Sequence, residues 1–200
     1  KKQKEEEDSY NKETNFPDHI EISPLMFSYI FYNISYTKNN SIINTFKIDG
    51  KNYKEELGNI NNGKDYNETD RNIYTLYVPY STTKNKDKFK GIFLFIHGEL
   101  WIKGNKEYFA PMAELYSQSG YITAIMDYTI LTDNYKDSNI FRILDEISAC
   151  IENIKLKLIN EGFNKDKLEI ALGGYSAGAH LALLYSYSIK ETPLPIKFII

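Results

Sequence analysis

Apolar residues along the chain fall into short runs of strand length, separated by polar or helical segments. Five such runs predict strands at residues 73–79, 91–96, 121–127, 168–172 and 196–200. Between the third and fourth runs, apolar side chains recur every three or four residues and predict an amphipathic helix: Ile143, Ile147, Ile151, Ile154 and Leu158, within 139–160. This alternation predicts an α/β fold, with a mostly parallel, doubly wound sheet flanked by helices.

The first third of the chain has a different character. Residues 1–20 are dominated by charge, which favours a solvated, disordered tail. Residues 24–48 are rich in aromatic and β-branched side chains and predict one or two strands, whereas 50–71 and 81–90 predict loops. We expect residues 21–200 to form the amino-terminal part of a single domain, incomplete after about its sixth strand.

Residues 174–178 read Gly-Tyr-Ser-Ala-Gly and carry the most specific chemical signal in the chain. A predicted buried strand precedes this motif, and the helix-favouring segment 177–185 follows it. In that context Gly-x-Ser-x-Gly places the serine on a strained strand-to-helix turn with its hydroxyl exposed. The start of the helix presents unpaired N–H groups and a positive dipole end. The pattern predicts that Ser176 is a nucleophile.

A second motif follows the predicted strand 91–96, where residues 97–101 read His-Gly-Glu-Leu-Trp. With this motif the chain resembles the α/β-hydrolase superfamily, in its esterase and lipase branch. Feruloyl-esterase-like, kynurenine-formamidase-like and hormone-sensitive-lipase-like members carry His-Gly-Gly-x-Trp there. The resemblance implies an oxyanion hole made by the backbone N–H groups of Glu99, Leu100 and Ala177. Loop-shaping roles are implied for His97, Gly98, Gly174 and Gly178.

Two further segments fit the same resemblance, which covers residues 71–200. Residues 121–128 resemble a fourth strand that ends in Asp-Tyr-Arg, although position 129 is Thr here. Residues 176–182 read Ser-Ala-Gly-Ala-His-Leu-Ala, close to the family's Ser-Ala-Gly-Gly-His-Leu-Ala. We expect Asp127 and Tyr128 to anchor loops.

Glu99 departs from the pattern, because this position is glycine in the family. A carboxylate beside a developing oxyanion would repel it, unless the side chain turns away or pairs with Lys103 or Lys106. Lys103, Lys106 and Glu107 are otherwise expected to be solvated surface residues. Trp101 is a candidate wall of an acyl pocket, and plain packing is the alternative.

The positions of the histidines indicate which catalytic residues the chain contains. In this fold the order is nucleophile, acid, histidine, so His97 is expected to orient its loop rather than to act as the base. His180, one helical turn after Ser176, is expected to pack structurally. His180 and Glu191 are the only histidine and acid after Ser176, and neither follows a later strand. We expect the catalytic acid and histidine beyond residue 200, so that the chain is an inactive amino-terminal portion of a longer hydrolase.

Composition excludes several other classes of protein. A net charge of −3 and a pI near 5.7 give no support for a nucleic-acid partner. No apolar stretch reaches the roughly 18 residues of a membrane span, so we expect a soluble chain. Cys150 is the only cysteine and is expected to be a buried, inert thiol.

The sequence therefore predicts a serine hydrolase that cleaves a small-molecule carboxylic ester through an acyl-enzyme, without a metal or organic cofactor. An amidase or formamidase built from the same parts is one alternative. A catalytically inactive hydrolase fold that serves as a binding module is another, and the substitution at Glu99 is its main support.

Overall fold

The computed structural model describes residues 41–47, 71–132 and 139–200, and of residues 41–47 it describes the backbone only. The predicted tail at 1–20, the aromatic segment before residue 41 and most of the predicted loop at 50–71 lie outside the described residues.

The described residues contain six strands in one sheet. They are β1 (Ser41–Lys47), β2 (Ile73–Pro79), β3 (Ile92–Ile96), β4 (Ile122–Asp127), β5 (Ile170–Gly174) and β6 (Ile196–Ile199). The strand order is β1-β2-β4-β3-β5-β6, in which β4, β3, β5 and β6 are parallel and β2 is antiparallel to both neighbours. The predicted strands are confirmed to within about two residues, and the mostly parallel sheet is confirmed with them.

Helices cover both faces of this sheet. They are α1 (Ser81–Lys84), α2 (Ala110–Gln118), α3 (Ile140–Asn160) and α4 (Ala177–Ser188), with 3₁₀ turns at Lys106–Phe109 and Lys165–Lys167. The prediction of a continuous loop at 81–90 was wrong at its start, where α1 adds one helical turn. None of the described helices is both long enough and apolar enough to cross a membrane.

Successive side chains of β3 point to opposite faces, and so belong to two separate cores. Ile92, Leu94 and Ile96 pack in the larger core, under α3 and α4. Phe93 and Phe95 pack on the other face, against Phe109 and the buried side of α2. A strand that is apolar at every position is therefore buried on both faces, as its sequence predicted.

A capping residue and an apolar stripe account for the formation of helix α3 at this place in the sequence. The side chain of Asn139 accepts a hydrogen bond from the N–H of Arg142 at 3.0 Å and so caps the first turn. The predicted stripe is confirmed, since its five members are fully buried against the sheet. Beyond the helix, Gly162 adopts a left-handed φ of 89° that lets the chain turn back toward β5.

The register of the parallel strands brings their ends to one edge of the sheet. Ile96 at the end of β3 lies opposite Met126 of β4 and Gly174 of β5. The residues that follow these strands must therefore meet at this edge, which we call the carboxyl edge. Because β2 runs the other way, it contributes its first residues there: Ile73 lies opposite Asp127.

A close backbone crossing joins α4 to the end of β3. A Cβ built on Gly178 would lie 2.0 Å from the carbonyl oxygen of Ile96 and 2.5 Å from that of His97. On β5, a Cβ on Gly174 would lie 2.4 Å from the carbonyl carbon of Gly178. No larger residue fits at either position without moving backbone, so both glycines are required by close approach rather than by conformation.

Gly178→Ala is expected to lower the free energy of unfolding by about 3 kcal/mol or more, because the new methyl group overlaps a carbonyl oxygen that cannot move away. An isolated helix would instead gain about 1 kcal/mol from the same change, so the sign of the effect is informative. Urea unfolding followed by circular dichroism measures it. Ala179→Ser, at the next and half-exposed position, is the control. A Gly178→Ala variant as stable as wild type would contradict the crossing.

Candidate active site

Ser176 lies at the carboxyl edge, between the end of β5 and the first residue of α4. Its backbone has φ 51° and ψ −116°, a conformation that costs a non-glycine residue on the order of 1–3 kcal/mol. The turn is closed by the N–H of Gly178, which donates to the carbonyl of Tyr175 at 2.9 Å. The Ser176 side chain is exposed and does not cap the helix, and none of the described residues hydrogen-bonds to its hydroxyl.

The loop that follows β3, residues 97–105, packs directly against this turn. We call it the β3 loop. A Cβ on Gly98 would lie 2.5 Å from the carbonyl oxygen of Tyr175, the residue before Ser176. The two predicted motifs, far apart in sequence, are therefore brought into contact, and the contact needs glycine at position 98.

The backbone of the β3 loop is left-handed at three successive residues. Glu99, Leu100 and Trp101 have φ values of 71°, 55° and 64°. Each costs an L-residue roughly 1–2 kcal/mol, so the surrounding structure must hold the turn in place. Within the described part of the chain, the N–H groups of Glu99 and Leu100 donate no hydrogen bond. The N–H of Ala177, first in α4, has no partner within its helix.

Hydrogen bonds from the residues after β4 hold this loop. The Tyr128 hydroxyl donates to the carbonyl oxygens of His97 at 3.1 Å and Gly98 at 3.2 Å. The N–H of Leu131 donates to the Trp101 carbonyl at 2.7 Å. The Asp127 carboxylate accepts from the N–H of Lys106 at 2.6 Å, just past the end of the loop.

His97 is fully buried beneath the loop and stacks on the ring of Tyr128, with centroids 4.2 Å apart. Burial lowers the pKa of His97 to about 3, which keeps the ring neutral near pH 7. Nδ1 lies 3.1 Å from the Gly98 carbonyl and must carry the proton, since a carbonyl only accepts. Nε2 is 3.6 Å from Asp127, too far for a hydrogen bond, and burial raises the pKa of the Asp127 carboxyl. A buried ring with so low a pKa is too weak a base to accept a serine proton near pH 7.

The Glu99 carboxylate has one weak cationic partner among the described residues. Lys103 Nζ lies 3.9 Å from it, and the Lys103 side chain is two-thirds exposed, so the pair contributes little. The prediction that Lys106 is a solvated surface residue was wrong. Its side chain is buried and pairs with the neighbouring Glu107, because its backbone follows the loop inward toward Asp127.

Trp101 is half-buried, and its ring meets the ring of His180 edge-on at a centroid distance of 5.3 Å. His180 is exposed, which corrects the expectation that it would be packed inside. His180 lies one turn into α4, and its side chain points away from the core toward the ring of Trp101. The proposed pocket wall at Trp101 remains a prediction.

Two polar features at the carboxyl edge, one buried and one half-buried, were not anticipated from sequence. Glu146, on the apolar face of α3, accepts from the N–H and the hydroxyl of Thr129 at 2.7 and 2.6 Å, and from Arg142 Nε at 3.3 Å. Burial raises the pKa of Glu146. The signal available in sequence was a charged residue inside an apolar stripe. The second feature is Arg71, ahead of β2, whose guanidinium donates to the carbonyls of Tyr128 and Gly104.

The fold has solved counterparts among esterases, all of low sequence identity. The chain superposes on esterase B from Lactobacillus rhamnosis with a TM-score of 0.58, 16% identity, and coverage of 88% of this chain and 51% of that one. An arylesterase gives a TM-score of 0.58, 17% identity, and coverage of 96% and 54%. The hyperthermophilic esterase of the archaeon Pyrobaculum calidifontis gives 0.54, 15%, and coverage of 82% and 43%.

These likenesses show the α/β-hydrolase fold, and the chain spans about half the length of the first two solved proteins. No curated protein matches the sequence. The BD-FAE family model, in contrast, matches residues 76–197, from β2 into β6, and so includes both motifs of the carboxyl edge. This match spans more than half of the 200 residues, and the chain belongs to the BD-FAE family.

Proposed function

We propose that the protein to which this chain belongs is a serine hydrolase that cleaves carboxylic esters through an acyl-enzyme. The observation that carries the proposal is an exposed serine on a strained turn, with backbone N–H groups of the β3 loop and of α4 unpaired beside it. The solved proteins with the same fold are described as esterases, which agrees with this substrate class.

Ser176 is the proposed nucleophile, and its backbone geometry supports the role. The strained turn lifts the hydroxyl away from the helix it precedes, so that the oxygen is not used as a cap. The positive end of the α4 dipole lies beneath it and favours negative charge on a bound substrate. A serine in a merely structural βα turn would be expected to cap the helix.

The proposed oxyanion donors are the N–H groups of Ala177, Glu99 and Leu100. They belong to the two segments that meet at the contact between Gly98 and Tyr175. Backbone donors held in advance cost no reorganisation when negative charge develops on the substrate oxygen. Loss of one such donor costs an enzyme on the order of 100-fold to 1,000-fold in kcat.

The chemistry follows from these parts. The Ser176 oxygen attacks the ester carbonyl, its proton passes to a histidine expected beyond residue 200, and the carbonyl π pair moves onto the oxyanion. Collapse of the tetrahedral intermediate breaks the bond to the alcohol, which leaves with the proton from that histidine. Water then repeats the sequence on the acyl-enzyme and releases the carboxylic acid. The mechanism requires no metal or organic cofactor.

An amidase or formamidase would use the same nucleophile and oxyanion donors, with an amine as the leaving group. A binding module without activity is the alternative from another class. The carboxylate of Glu99 in the loop is its support, whereas the unused hydroxyl of Ser176 and the strain of its turn oppose it.

The full-length protein should be labelled by a fluorophosphonate probe at Ser176, because the probe reacts preferentially with activated serines. Ser176→Ala should abolish labelling, as seen by gel fluorescence and by mass spectrometry of the modified peptide. Ser188→Ala, at the exposed end of the same helix, is the matched control and should label like wild type. Labelling that persists in Ser176→Ala would refute the assignment.

The chain that ends at Ile200 should show no Ser176-dependent turnover of p-nitrophenyl acetate. Its described histidines do not hydrogen-bond to the Ser176 hydroxyl, and burial lowers the pKa of His97 to about 3, out of the range of a useful base. The measurement compares release of p-nitrophenol by the chain and by its Ser176→Ala variant. Robust turnover that the substitution removes would place the base within these residues.

Glu99→Gly should raise kcat of the full-length enzyme roughly tenfold, which corresponds to about 1.4 kcal/mol. Removal of a carboxylate near the oxyanion relieves a repulsion of about 1 kcal/mol at a partly solvated site. Glycine also adopts the φ of 71° at this position without strain. Steady-state kinetics with p-nitrophenyl esters measure the change.

Lys103→Met is the control for that experiment. It removes the weak 3.9 Å ion pair of Glu99 and leaves the loop sequence otherwise intact, so kcat should stay within about twofold. A kcat that falls in both variants would show instead that the pair holds the loop in shape.

A further inference from the structure

The β3 loop needs restraints at its two ends as well as in its middle. Three successive left-handed residues persist only where the surrounding structure determines them. The Tyr128 hydroxyl restrains the entry of the loop, and the N–H of Leu131 restrains Trp101 in the middle. The exit, at Gly104, is restrained by a residue from outside both sequence motifs.

That residue is Arg71. One terminal nitrogen of its guanidinium donates to the carbonyl of Gly104 at 2.8 Å, and the other donates to the carbonyl of Tyr128 at 3.0 Å. Arg71 reaches this edge because β2 is antiparallel to β4: the N–H of the next residue, Asn72, donates to the Asp127 carbonyl at 3.0 Å. A residue before a parallel strand would lie at the opposite edge of the sheet.

Gly104 is the point at which the loop closes on itself. Its φ is 97°, and a Cβ on it would lie 2.8 Å from His97 Nδ1 and 3.1 Å from the Gly98 carbonyl oxygen. The exit of the loop therefore lies against its entry. Tyr128 restrains the entry of the β3 loop, and Gly104 forms its exit. By donating to the carbonyls of both residues, Arg71 connects the two ends of the loop.

The guanidinium suits this task because it presents two donors in a planar fork, whereas an ammonium is a point charge on a flexible stem. The Arg71 side chain is half-buried and makes no ion pair with any described residue. Its hydrogen-bonding capacity is directed to the two carbonyls. Its positive charge also favours the ionised form of nearby Asp127, but a charge alone does not supply the two directed donors.

We propose that Arg71 is a positioning residue for catalysis: it fixes the left-handed turn at Glu99, Leu100 and Trp101 by tying Gly104 to Tyr128. This role rests on the proposed function of the β3 loop as part of an oxyanion hole. Arg71 itself does not touch the substrate. The residue acts on the rate through the orientation of the loop N–H groups.

Kinetics of the full-length protein test the effect on the reaction. Arg71→Lys should lower kcat for p-nitrophenyl acetate about 10-fold to 100-fold, because misplaced donors act in the transition state, and KM should change less than about threefold. Arg71→Met should lower kcat at least as much. Lys167→Met is the control. It removes an exposed salt bridge between Lys167, which precedes β5, and Asp87, and it should leave kcat and KM near wild type.

Hydrogen exchange by mass spectrometry tests the positioning without any need for activity. In Arg71→Lys, the N–H of Ile102, which closes the turn by donating to the Glu99 carbonyl at 3.2 Å, should exchange about tenfold faster than in wild type, while peptides from β3 and α4 keep their protection. If all peptides exchange faster, Arg71 is only a general stabilising residue, and the proposal is overturned. The same holds if the loop is unchanged, or if kcat is unchanged in an active enzyme.

The two proposals fail in different ways. If the wild-type full-length protein has no turnover that Ser176→Ala removes, the proposed function fails, and the exchange data still decide whether Arg71 fixes the loop. If the enzyme is active and both Arg71 variants keep the wild-type kcat, the proposal for Arg71 fails alone.

Discussion

The candidate site depends on one close contact between backbones. The first turn of α4 crosses the end of β3 so closely that a methyl group on Gly178 would lie 2.0 Å from the carbonyl oxygen of Ile96. This crossing places Ser176, at the start of the helix, beside the loop that leaves β3. A side chain at Gly178 would push the helix outward and separate Ser176, the proposed nucleophile, from the proposed oxyanion donors. The position of the site is thus set by how α4 packs against β3, and its polar groups lie on the segments that this packing brings together.

The second requirement is a backbone held against its own preferences. Glu99, Leu100, Trp101 and Ser176 all have left-handed φ values, which side chains disfavour. The strain is tolerated because buried hydrogen bonds fix the neighbouring carbonyls. Much of this restraint comes from the segment after β4, where Tyr128 supplies a hydroxyl. A loop fixed in this way keeps its N–H groups unpaired and directed, which is the condition for stabilising an anion without reorganisation.

The order of elements, the α/β class and the identity of the two motifs could be predicted from the amino-acid sequence. These features are local: continuous apolar runs, a helical period, and glycines flanking a serine can be recognised without knowing what packs against them. The family resemblance singled out Glu99 as a residue in a glycine position, and its φ of 71° agrees with that interpretation. The helical period also predicted correctly that α3 buries its stripe from Ile143 to Leu158.

The set of distant residues that meet at the carboxyl edge, in contrast, follows from the packing of the sheet and its loops. The role of Arg71 depends on β2 being antiparallel to β4. The apolar run at residues 73–79 predicted a strand but not its direction. The burial of Lys106 depends on the path of the β3 loop. The exposure of His180 depends on how the first turn of α4 packs against its neighbours. Long-range hydrogen bonds of this kind follow from topology, whereas the motifs they support follow from local sequence.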